Sequence, residues 1–195
     1  LDEVVGQKHL IGEGKILRNI IENDEVPNMI FYGPSGVGKT TIANIIAQKT
    51  GKTLHRLNAT TASVADIKNI VSTLDSFLAM DGVLLYLDEI QHFNKKQQQS
   101  LLEFIEDGRI TLIASTTENP YFVIHKAIIS RCNIFSFNPL NTNDITIGLK
   151  NSIDKLINEG LEIQYSNEAL DYIGEISQGD YRKAYNILEL AINSY

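Results

Sequence analysis

Short apolar runs alternate with amphipathic segments along most of this chain. Apolar runs of about four to eight residues, bounded by polar residues or glycine, are typical of buried strands, whereas apolar residues three and four apart are typical of helices. Apolar runs predict strands over 29–32, 83–87 and 110–115, and two further short strands are predicted over 53–57, after Gly51, and over 133–137. Helical spacing between the runs is marked by Ile16, Leu17, Ile20, Ile21, Ile42, Ile45, Ile46, Ile67, Ile70, Val71 and Leu74.

The order of these elements predicts the fold class. The first helix is expected to end near Asn23 and Asp24, and further helices are expected over 41–49 and 95–105. Short strands that alternate with helices predict an α/β fold, in which a five-stranded parallel sheet is covered by helices on both faces. Ligands bind such sheets at the carboxyl ends of the strands. Polar residues that directly follow strands are therefore the candidates for a functional site.

The chain after Pro139 has a helical pattern throughout. Ser166 and Asp180 are residue types that cap helix N-termini, and each precedes an apolar helical pattern. Helices are predicted over 143–158, 167–176 and 181–192. We therefore predict two domains, an α/β domain over 1–138 and a small α-helical subdomain over 139–195.

Composition and charge narrow the function classes only in part. The chain is 43% hydrophobic and 21% charged, an ordinary composition for a soluble protein. No apolar stretch approaches the roughly 20 residues that span a bilayer, and the N-terminus lacks the regions of a signal peptide. We therefore expect a cytoplasmic location and no membrane partner. The net charge of −7 argues against a surface that is basic all round, so nucleic-acid contact would need a local patch or an assembly.

Cysteine and histidine usage predicts no metal site beyond the magnesium of a bound nucleotide. Cys132 is the single cysteine, which excludes an internal disulfide and a multi-cysteine zinc site, and the histidines are scattered along the chain. The chain begins with Leu1 rather than methionine and ends directly after an apolar helical pattern. We therefore expect it to be a fragment of a longer protein.

A glycine-rich segment follows the first predicted strand and precedes a predicted helix. Residues 33–40 match the phosphate-binding pattern G-x-x-x-x-G-K-[ST] at every fixed position. Glycines let backbone N–H groups converge on phosphate oxygens, Lys39 is predicted to lie against the β- and γ-phosphates, and Thr40 to help hold Mg²⁺. The alternative, an ordinary glycine turn, is disfavoured by the flanking strand and helix. The predicted nucleotide contacts are Gly33, Pro34, Ser35, Gly36, Val37, Gly38, Lys39, Thr40 and Thr41.

An acidic pair, Asp88 and Glu89, directly follows the apolar run 84–87. Because a carboxylate is needed beside the magnesium ion, in addition to the Thr40 hydroxyl, Asp88 is predicted to be the metal's outer partner. Glu89 is predicted to orient and deprotonate the attacking water, which is general-base catalysis. An exposed acidic strand end is the alternative, and the complete phosphate loop earlier in the chain favours the catalytic interpretation.

Two further polar residues are candidates for the site, one directly after the fourth predicted strand and one just before the fifth. Thr117, or else Thr116, is placed where a side chain from the fourth strand could bond the γ-phosphate or the water. Arg131 falls just before the fifth strand, where an ordinary solvated arginine at a helix end is an equally good interpretation of the sequence alone. Both assignments depend on spacing only.

The motifs occur in the order found in AAA+ ATPases of the clamp-loader and Holliday-junction-motor branch, which the chain resembles over essentially its whole length. The matching segments are Val5-Gly6-Gln7 (adenine-side box), 33–40 (Walker A), 84–89 (Walker B), Thr116-Thr117 (sensor 1), Ser130-Arg131-Cys132 (arginine finger) and Gly179-Asp180 with Arg182 (sensor 2). The resemblance implies that Arg131 reaches the γ-phosphate of a neighbouring subunit. It also implies that Arg182 reports the nucleotide state from a helical lid, and that Val5, Gly6 and Gln7 lie beside the adenine.

Three strings narrow the resemblance to one family within that branch. They are Asp88-Glu89-Ile90 with Phe93-Asn94-Lys95 and Gln97-Gln98, then Thr116-Thr117-Glu118-Asn119-Pro120, then Gly179-Asp180-x-Arg182-x-Ala184-x-Asn186. They resemble the replication-associated recombination protein A family, also called MgsA, whose eukaryotic relative is the Werner helicase interacting protein. Two departures, Ser35 for a proline and Gln91-His92 for His-Arg, are expected to leave the phosphate chemistry untouched.

The resemblance implies a DNA-dependent ATPase that hydrolyses ATP with Mg²⁺ at stalled forks, single-strand gaps or duplex ends. It implies a nucleoid-associated homo-oligomer, a tetramer in the full-length protein, whose partners include DNA and either single-strand-binding protein or replisome components. Two alternatives stay open at this point. One is a clamp-loader-type subunit, and the other is a module that binds ATP to recruit replication partners and hardly hydrolyses it.

Overall fold

The computed structural model describes residues 1, 4–23, 25–73 and 82–194. Its strands form one parallel sheet in the order β2-β3-β4-β1-β5. The strands are β1 (Met29–Tyr32), β2 (Thr53–Asn58), β3 (Val83–Asp88), β4 (Ile110–Thr116) and β5 (Asn133–Ser136). The predicted α/β class and all the predicted strands are confirmed, each within one or two residues of its predicted end.

Burial along the strands follows their position in the sheet. In the inner strand β3 every residue of 83–87 is buried, and in β4 nearly every residue is buried as well. The edge strands β2 and β5 are largely exposed or half-buried. A parallel sheet is covered by helices on both faces, so its inner strands are apolar without alternation. This is why an inner strand such as β3 could be recognised as an uninterrupted apolar run.

Helices fill the intervals between the strands and form the C-terminal part of the chain. They are α1 (Lys8–Ile11), α2 (Ile16–Glu22), α3 (Lys39–Thr50), α4 (Val64–Thr73), α5 (Lys95–Glu106), α6 (Pro120–Val123), α7 (Lys126–Ile129), α8 (Thr142–Asn158), α9 (Asn167–Ile176) and α10 (Tyr181–Asn193). The helices predicted from spacing are confirmed. Asp24 and Leu74, which helped to define two of them, lie outside the described residues.

Side-chain caps fix where several of these helices begin. At α5 the Asn94 side chain accepts from the Gln97 backbone N–H at 2.9 Å, and the Gln97 side chain accepts from the Asn94 N–H at 2.9 Å. The predicted caps of α9 and α10 are present as well, because Ser166 accepts from the Ala169 N–H and Asp180 accepts from the Lys183 N–H. Such caps satisfy N–H groups that have no partner within the helix.

The chain divides into two compact units. The first contains Leu1, His9–Gly33 and Lys39–Phe137, and the second contains Asp2–Lys8, Pro34–Gly38 and Asn138–Tyr195. The first unit holds the sheet, and its core is built on the apolar residues of β3, β4 and the helices packed against them. The second unit has its own core, made of Leu140, which precedes α8, and residues of α8, α9 and α10, namely Ile145, Leu149, Ile153, Leu170, Ile173, Ala184 and Leu188. The division predicted between 138 and 139 stays a prediction.

The core of the helical unit can be tested with two leucines of α10. Leu188 is 5% exposed and Leu190 is 68% exposed. Because truncating a buried leucine removes apolar burial and leaves a cavity, Leu188→Ala is expected to lower the free energy of opening of this unit by about 2–5 kcal/mol. Leu190→Ala is the matched control, with an expected change within about 0.5 kcal/mol. Native-state hydrogen exchange of the α8–α10 amides measures both, and equal protection in the two variants would contradict the assignment of Leu188 to the core.

Candidate nucleotide-binding and catalytic site

The phosphate loop begins where β1 meets its neighbours. The Gly33 N–H donates to the carbonyl of Thr116 at the end of β4 (3.1 Å), and the Phe137 N–H donates to the carbonyl of Tyr32 (2.7 Å). Gly33 has a φ of +149°, and a Cβ there would lie 2.3 Å from the Phe137 carbonyl oxygen. Glycine is therefore required at the start of the loop by a close backbone approach, in addition to any contact with phosphate.

The middle of the loop, Pro34–Gly38, packs within the helical unit. The Gly36 carbonyl accepts from the N–H of Tyr181, the first residue of α10, at 3.0 Å. Gly36 has a φ of +66°, and a Cβ there would lie 1.8 Å from Oδ1 of Asp180. The sequence singled out Asp180 as a helix cap and as part of sensor 2. The structure adds that its carboxylate lies directly against the phosphate loop.

Gln7 supports the same part of the loop from the N-terminal side. Its amide nitrogen donates to the carbonyls of Val37 (3.2 Å) and Asn138 (2.7 Å), and its amide oxygen accepts from the Asn138 N–H (3.1 Å). Gln7 and Val37 are buried. The side chain of Gln7 therefore joins main-chain segments, and the adenine contact predicted for it stays a prediction.

Val5 and Gly6 pack against the helical unit. A Cβ on Gly148 of α8 would lie 2.6 Å from the Val5 side chain, and a Cβ on Gly6 would lie 2.4 Å from Leu140. A side chain at position 148 or position 6 would therefore clash with these neighbours, which explains why both residues are glycine. The predicted contact of Val5 and Gly6 with the adenine stays a prediction.

Lys39, Thr40 and Thr41 form the first turn of α3. Lys39 is 8% exposed, and its Nζ donates to the Gly33 carbonyl at 2.6 Å. The ammonium is thus held towards the start of the loop, and its predicted contact with the β- and γ-phosphates stays a prediction. The Thr40 hydroxyl lies 3.0 Å from the Tyr86 hydroxyl of β3. Thr41 is exposed.

Asp88 at the end of β3 is surrounded by hydroxyl groups. Ser115 of β4 donates a short hydrogen bond to its Oδ1, and the Tyr86 hydroxyl donates to the same oxygen at 3.4 Å. Burial raises the pKa of Tyr86 to about 12, so this group is a neutral hydroxyl. The sequence analysis missed both Tyr86 and Ser115 by treating them as parts of apolar runs. The signal was available, because residues two apart on a strand share a face, which places Tyr86 beside Asp88.

Glu89 has an unusual backbone conformation. Its φ of 54° and ψ of 49° lie in the left-handed region, which is uncommon for residues other than glycine and is concentrated at functional sites. Thr117 donates to Glu89 Oε2 at 3.4 Å, so the structure brings the predicted base and the predicted sensor together. Gln91 donates a short hydrogen bond to the same oxygen. Position 91 therefore contacts Glu89 directly, and the expectation that it leaves the phosphate chemistry untouched stays a prediction.

Arg131 and Arg182 are the two predicted site arginines. Arg131 directly follows the turn that ends α7, its side chain is 41% exposed, and it pairs with Glu106 of α5 at 2.6 Å. It also donates to the Ala127 carbonyl at 2.9 Å. Arg182 is exposed in the first turn of α10, directly after Asp180 and Tyr181. The nucleotide contacts of both arginines stay predictions.

The residues present fit a magnesium-bound nucleotide. Magnesium is held in such sites by one or two protein oxygens together with phosphates and water, and the oxygens of Thr40 and Asp88 are linked through the Tyr86 hydroxyl. Gly38 has a φ of +101°, a backbone conformation that favours glycine. Within the described residues there is no group of three or more His, Cys, Asp or Glu side chains arranged as a metal site. No helix among them has the length and apolar character needed to cross a membrane.

Comparison with protein families identifies the fold and the class of enzyme. Residues 29–140 match the model of the ATPase family associated with various cellular activities (AAA). The chain belongs to this family. The predicted ATPase class and the predicted P-loop fold are confirmed by this match, and AAA proteins bind nucleotide.

Several relatives of this AAA chain are similar over nearly its whole length. Replication-associated recombination protein A of Haemophilus influenzae is 37% identical over 99% of the chain, which covers 44% of that protein. The Bacillus subtilis protein of the same name is 35% identical, with 100% of the chain and 46% of the relative covered. ATPase WRNIP1 of Dictyostelium discoideum is 35% identical over 100% of the chain and 22% of the relative. The predicted resemblance is confirmed, and the chain spans less than half the length of each of these relatives.

Solved structures agree with the fold. The Thermotoga maritima RuvB Holliday junction branch migration motor matches with a TM-score of 0.76 and 24% identity, over 97% of this chain and 62% of the RuvB chain. At that identity the similarity concerns the fold alone.

Proposed function

We propose that this AAA chain is the ATP-hydrolysing part of a DNA-dependent ATPase of replication-associated recombination and repair. Its substrate would be DNA or protein–DNA complexes at stalled forks, single-strand gaps or duplex ends. One observation carries the ATPase part of the proposal. Side chains from the ends of β3 and β4 and from the first turn of α3 are joined in two hydrogen-bonded groups, Thr40 with Tyr86 and Asp88, and Glu89 with Thr117.

Each predicted residue has a distinct task in hydrolysis. Lys39 compensates the charge of the β- and γ-phosphates of ATP, and Thr40 and Asp88 would hold Mg²⁺, which would neutralise charge that develops on the phosphates. Glu89 accepts a proton from the attacking water, and Thr117 orients the Glu89 carboxylate or the water. Release of Glu89 from Gln91 would free its Oε2 for the water.

Arg131 is proposed to act in trans, on ATP bound by a neighbouring subunit. Its side chain is accessible, and its partner Glu106 is 50% exposed. Exposed ion pairs contribute only about 0–1 kcal/mol, so Arg131 can leave Glu106 at little cost when a phosphate is offered. The proposal therefore includes a homo-oligomer, a tetramer in the full-length protein.

The DNA part of the proposal comes from the relatives. Proteins named replication-associated recombination protein A match the chain at 35–38% identity. The net charge of −7 means that DNA would bind a local basic patch or a surface built by assembly. Single-strand-binding protein or replisome components are the proposed protein partners, in the nucleoid. Retention of both Glu89 and Arg131 favours a hydrolysing enzyme over a module that only binds ATP.

Phosphate release from ATP tests this function. We would measure it across a range of chain concentrations, with and without forked DNA, and use Glu89→Gln as the blank. Turnover that rises steeply with both concentration and DNA is the expected result. Stimulation by a sliding clamp and not by DNA would overturn the proposal in favour of a clamp-loader-type subunit. Tight ATP binding with turnover equal to the blank under all conditions would overturn it in favour of an interaction module.

A further inference from the structure

We propose that the Tyr86 hydroxyl positions the magnesium-binding residues by linking Thr40 to Asp88. The inference rests on the proposed function and deepens it, because it assigns a task to a residue that the phosphate-loop and Walker B patterns do not specify. The Tyr86 oxygen would accept a hydrogen bond from the Thr40 hydroxyl, and the Tyr86 hydroxyl would donate a hydrogen bond to Asp88. Thr40 would then present an oxygen lone pair, and not its proton, to the metal.

The geometry supports a chain of three groups. Tyr86 is 2% exposed, so its phenol has little access to water. Its oxygen lies 3.0 Å from Thr40 Oγ1 and 3.4 Å from Asp88 Oδ1. Tyr86 and Asp88 are two residues apart on β3 and share one face of the strand, and α3 brings Thr40 to the same face.

Proton counting fixes the direction of this chain. An ionised carboxylate only accepts hydrogen bonds, and a phenol has one proton to donate. If that proton goes to Asp88, then the bond between Tyr86 and Thr40 must use the Thr40 proton. The Thr40 hydroxyl is thereby oriented with its lone pairs away from Tyr86. A phenylalanine of the same shape could fill the space but could not set this orientation.

Ser115 has a different place in the same cluster. Ser115 is fully buried, and its hydroxyl donates a hydrogen bond to Asp88 Oδ1. It has no such bond with Thr40. Ser115 also has a side-chain hydrogen bond with Tyr86, so removing Ser115 should affect Asp88 and Tyr86, whereas removing the Tyr86 hydroxyl should affect Asp88 and Thr40 together. This difference separates a linking role from general support of the carboxylate.

The test compares nucleotide affinity with and without magnesium. A fluorescent ADP analogue is titrated against the wild-type chain and Tyr86→Phe, first with Mg²⁺ and then with EDTA. We expect the variant to lose about tenfold in affinity with Mg²⁺, equivalent to about 1.4 kcal/mol, and to match the wild type in EDTA. Tyr172→Phe, which changes a tyrosine that is 63% exposed on α9, is the control and should match the wild type in both conditions.

A double-mutant cycle tests whether Tyr86 acts through Thr40. Tyr86→Phe should lose about tenfold in the wild-type background and less than about twofold in a Thr40→Ala background, because coupled residues are not additive. Additive losses for Tyr86 and Thr40, equal losses in Mg²⁺ and EDTA, or no loss in Tyr86→Phe would each overturn the inference. Failure of the wild type to bind nucleotide would instead overturn the proposed function.

Discussion

Glu89→Gln is expected to reduce ATP turnover by about 10²–10⁴-fold while ATP binding is retained. The change removes the proton acceptor and keeps the size and polarity of the side chain, and general-base catalysis contributes a factor of this order. Glu89 follows β3 in a left-handed backbone conformation and accepts from Thr117 and Gln91. The amide oxygen of glutamine can still accept those bonds, so the local structure should be preserved.

Steady-state phosphate release and equilibrium binding of ATP measure the two halves of this prediction. Glu103→Gln is the matched control, because Glu103 is a 71% exposed carboxylate on α5 that pairs with Arg109 and has no part in the proposed chemistry. Its turnover should equal that of the wild type. Unchanged turnover in Glu89→Gln would remove this residue from its assigned role, whatever the result for the control.

Arg131→Ala is expected to reduce turnover by about 10³-fold in assembled protein and to leave ATP binding intact. An arginine that reaches the transferring phosphoryl group stabilises charge that develops in the transition state, and such arginines contribute a factor of about 10³–10⁵. Because Arg131 is proposed to act on a neighbouring subunit, the loss should appear only under conditions in which the chain assembles. A comparable loss in a demonstrably monomeric sample would contradict the assignment in trans.

Arg109→Ala provides a matched control for the loss of a surface arginine. Arg109 has the same exposed fraction as Arg131, 41%, and also pairs with carboxylates of or near α5. Its replacement should leave turnover unchanged. Size-exclusion chromatography of the wild type, Arg131→Ala and Arg109→Ala shows whether a loss of turnover reflects impaired assembly instead of impaired catalysis.

Mixing two inactive variants gives a sharper test of action in trans. A Glu89→Gln subunit keeps its arginine, and an Arg131→Ala subunit keeps its base. If Arg131 completes the site of a neighbour, mixed assemblies contain some sites with both groups, and turnover should reappear on mixing. If Arg131 serves its own subunit, every site in the mixture lacks one group and turnover should stay at the level of the separate variants.

The sequence alone determined the fold class and the main catalytic candidates. Inner strands of a parallel sheet are buried on both faces, so each appears in the sequence as an apolar run, as 83–87 does. The phosphate loop is a contiguous segment whose residue types follow from local backbone requirements. Asp88 and Glu89 were found because they directly follow a recognisable strand. All these features depend on residues that are neighbours in the chain.

Only the tertiary structure decided how distant side chains meet around these candidates. Tyr86 and Thr40 are separated by 46 residues and Ser115 and Asp88 by 27 residues, and which strands and helices lie side by side follows from the sheet order. Asp180 and Gly36 are likewise distant in the sequence, and the fold places the Asp180 carboxylate directly beside Gly36. The sequence analysis treated Tyr86 as one more apolar residue of a buried strand. A tyrosine ring packs well in a core while its hydroxyl can still form a hydrogen bond, so the residue type alone does not reveal its role. The bonding partner of its hydroxyl is set by packing, and packing is what places this residue beside Thr40 and Asp88, the side chains proposed to bind magnesium.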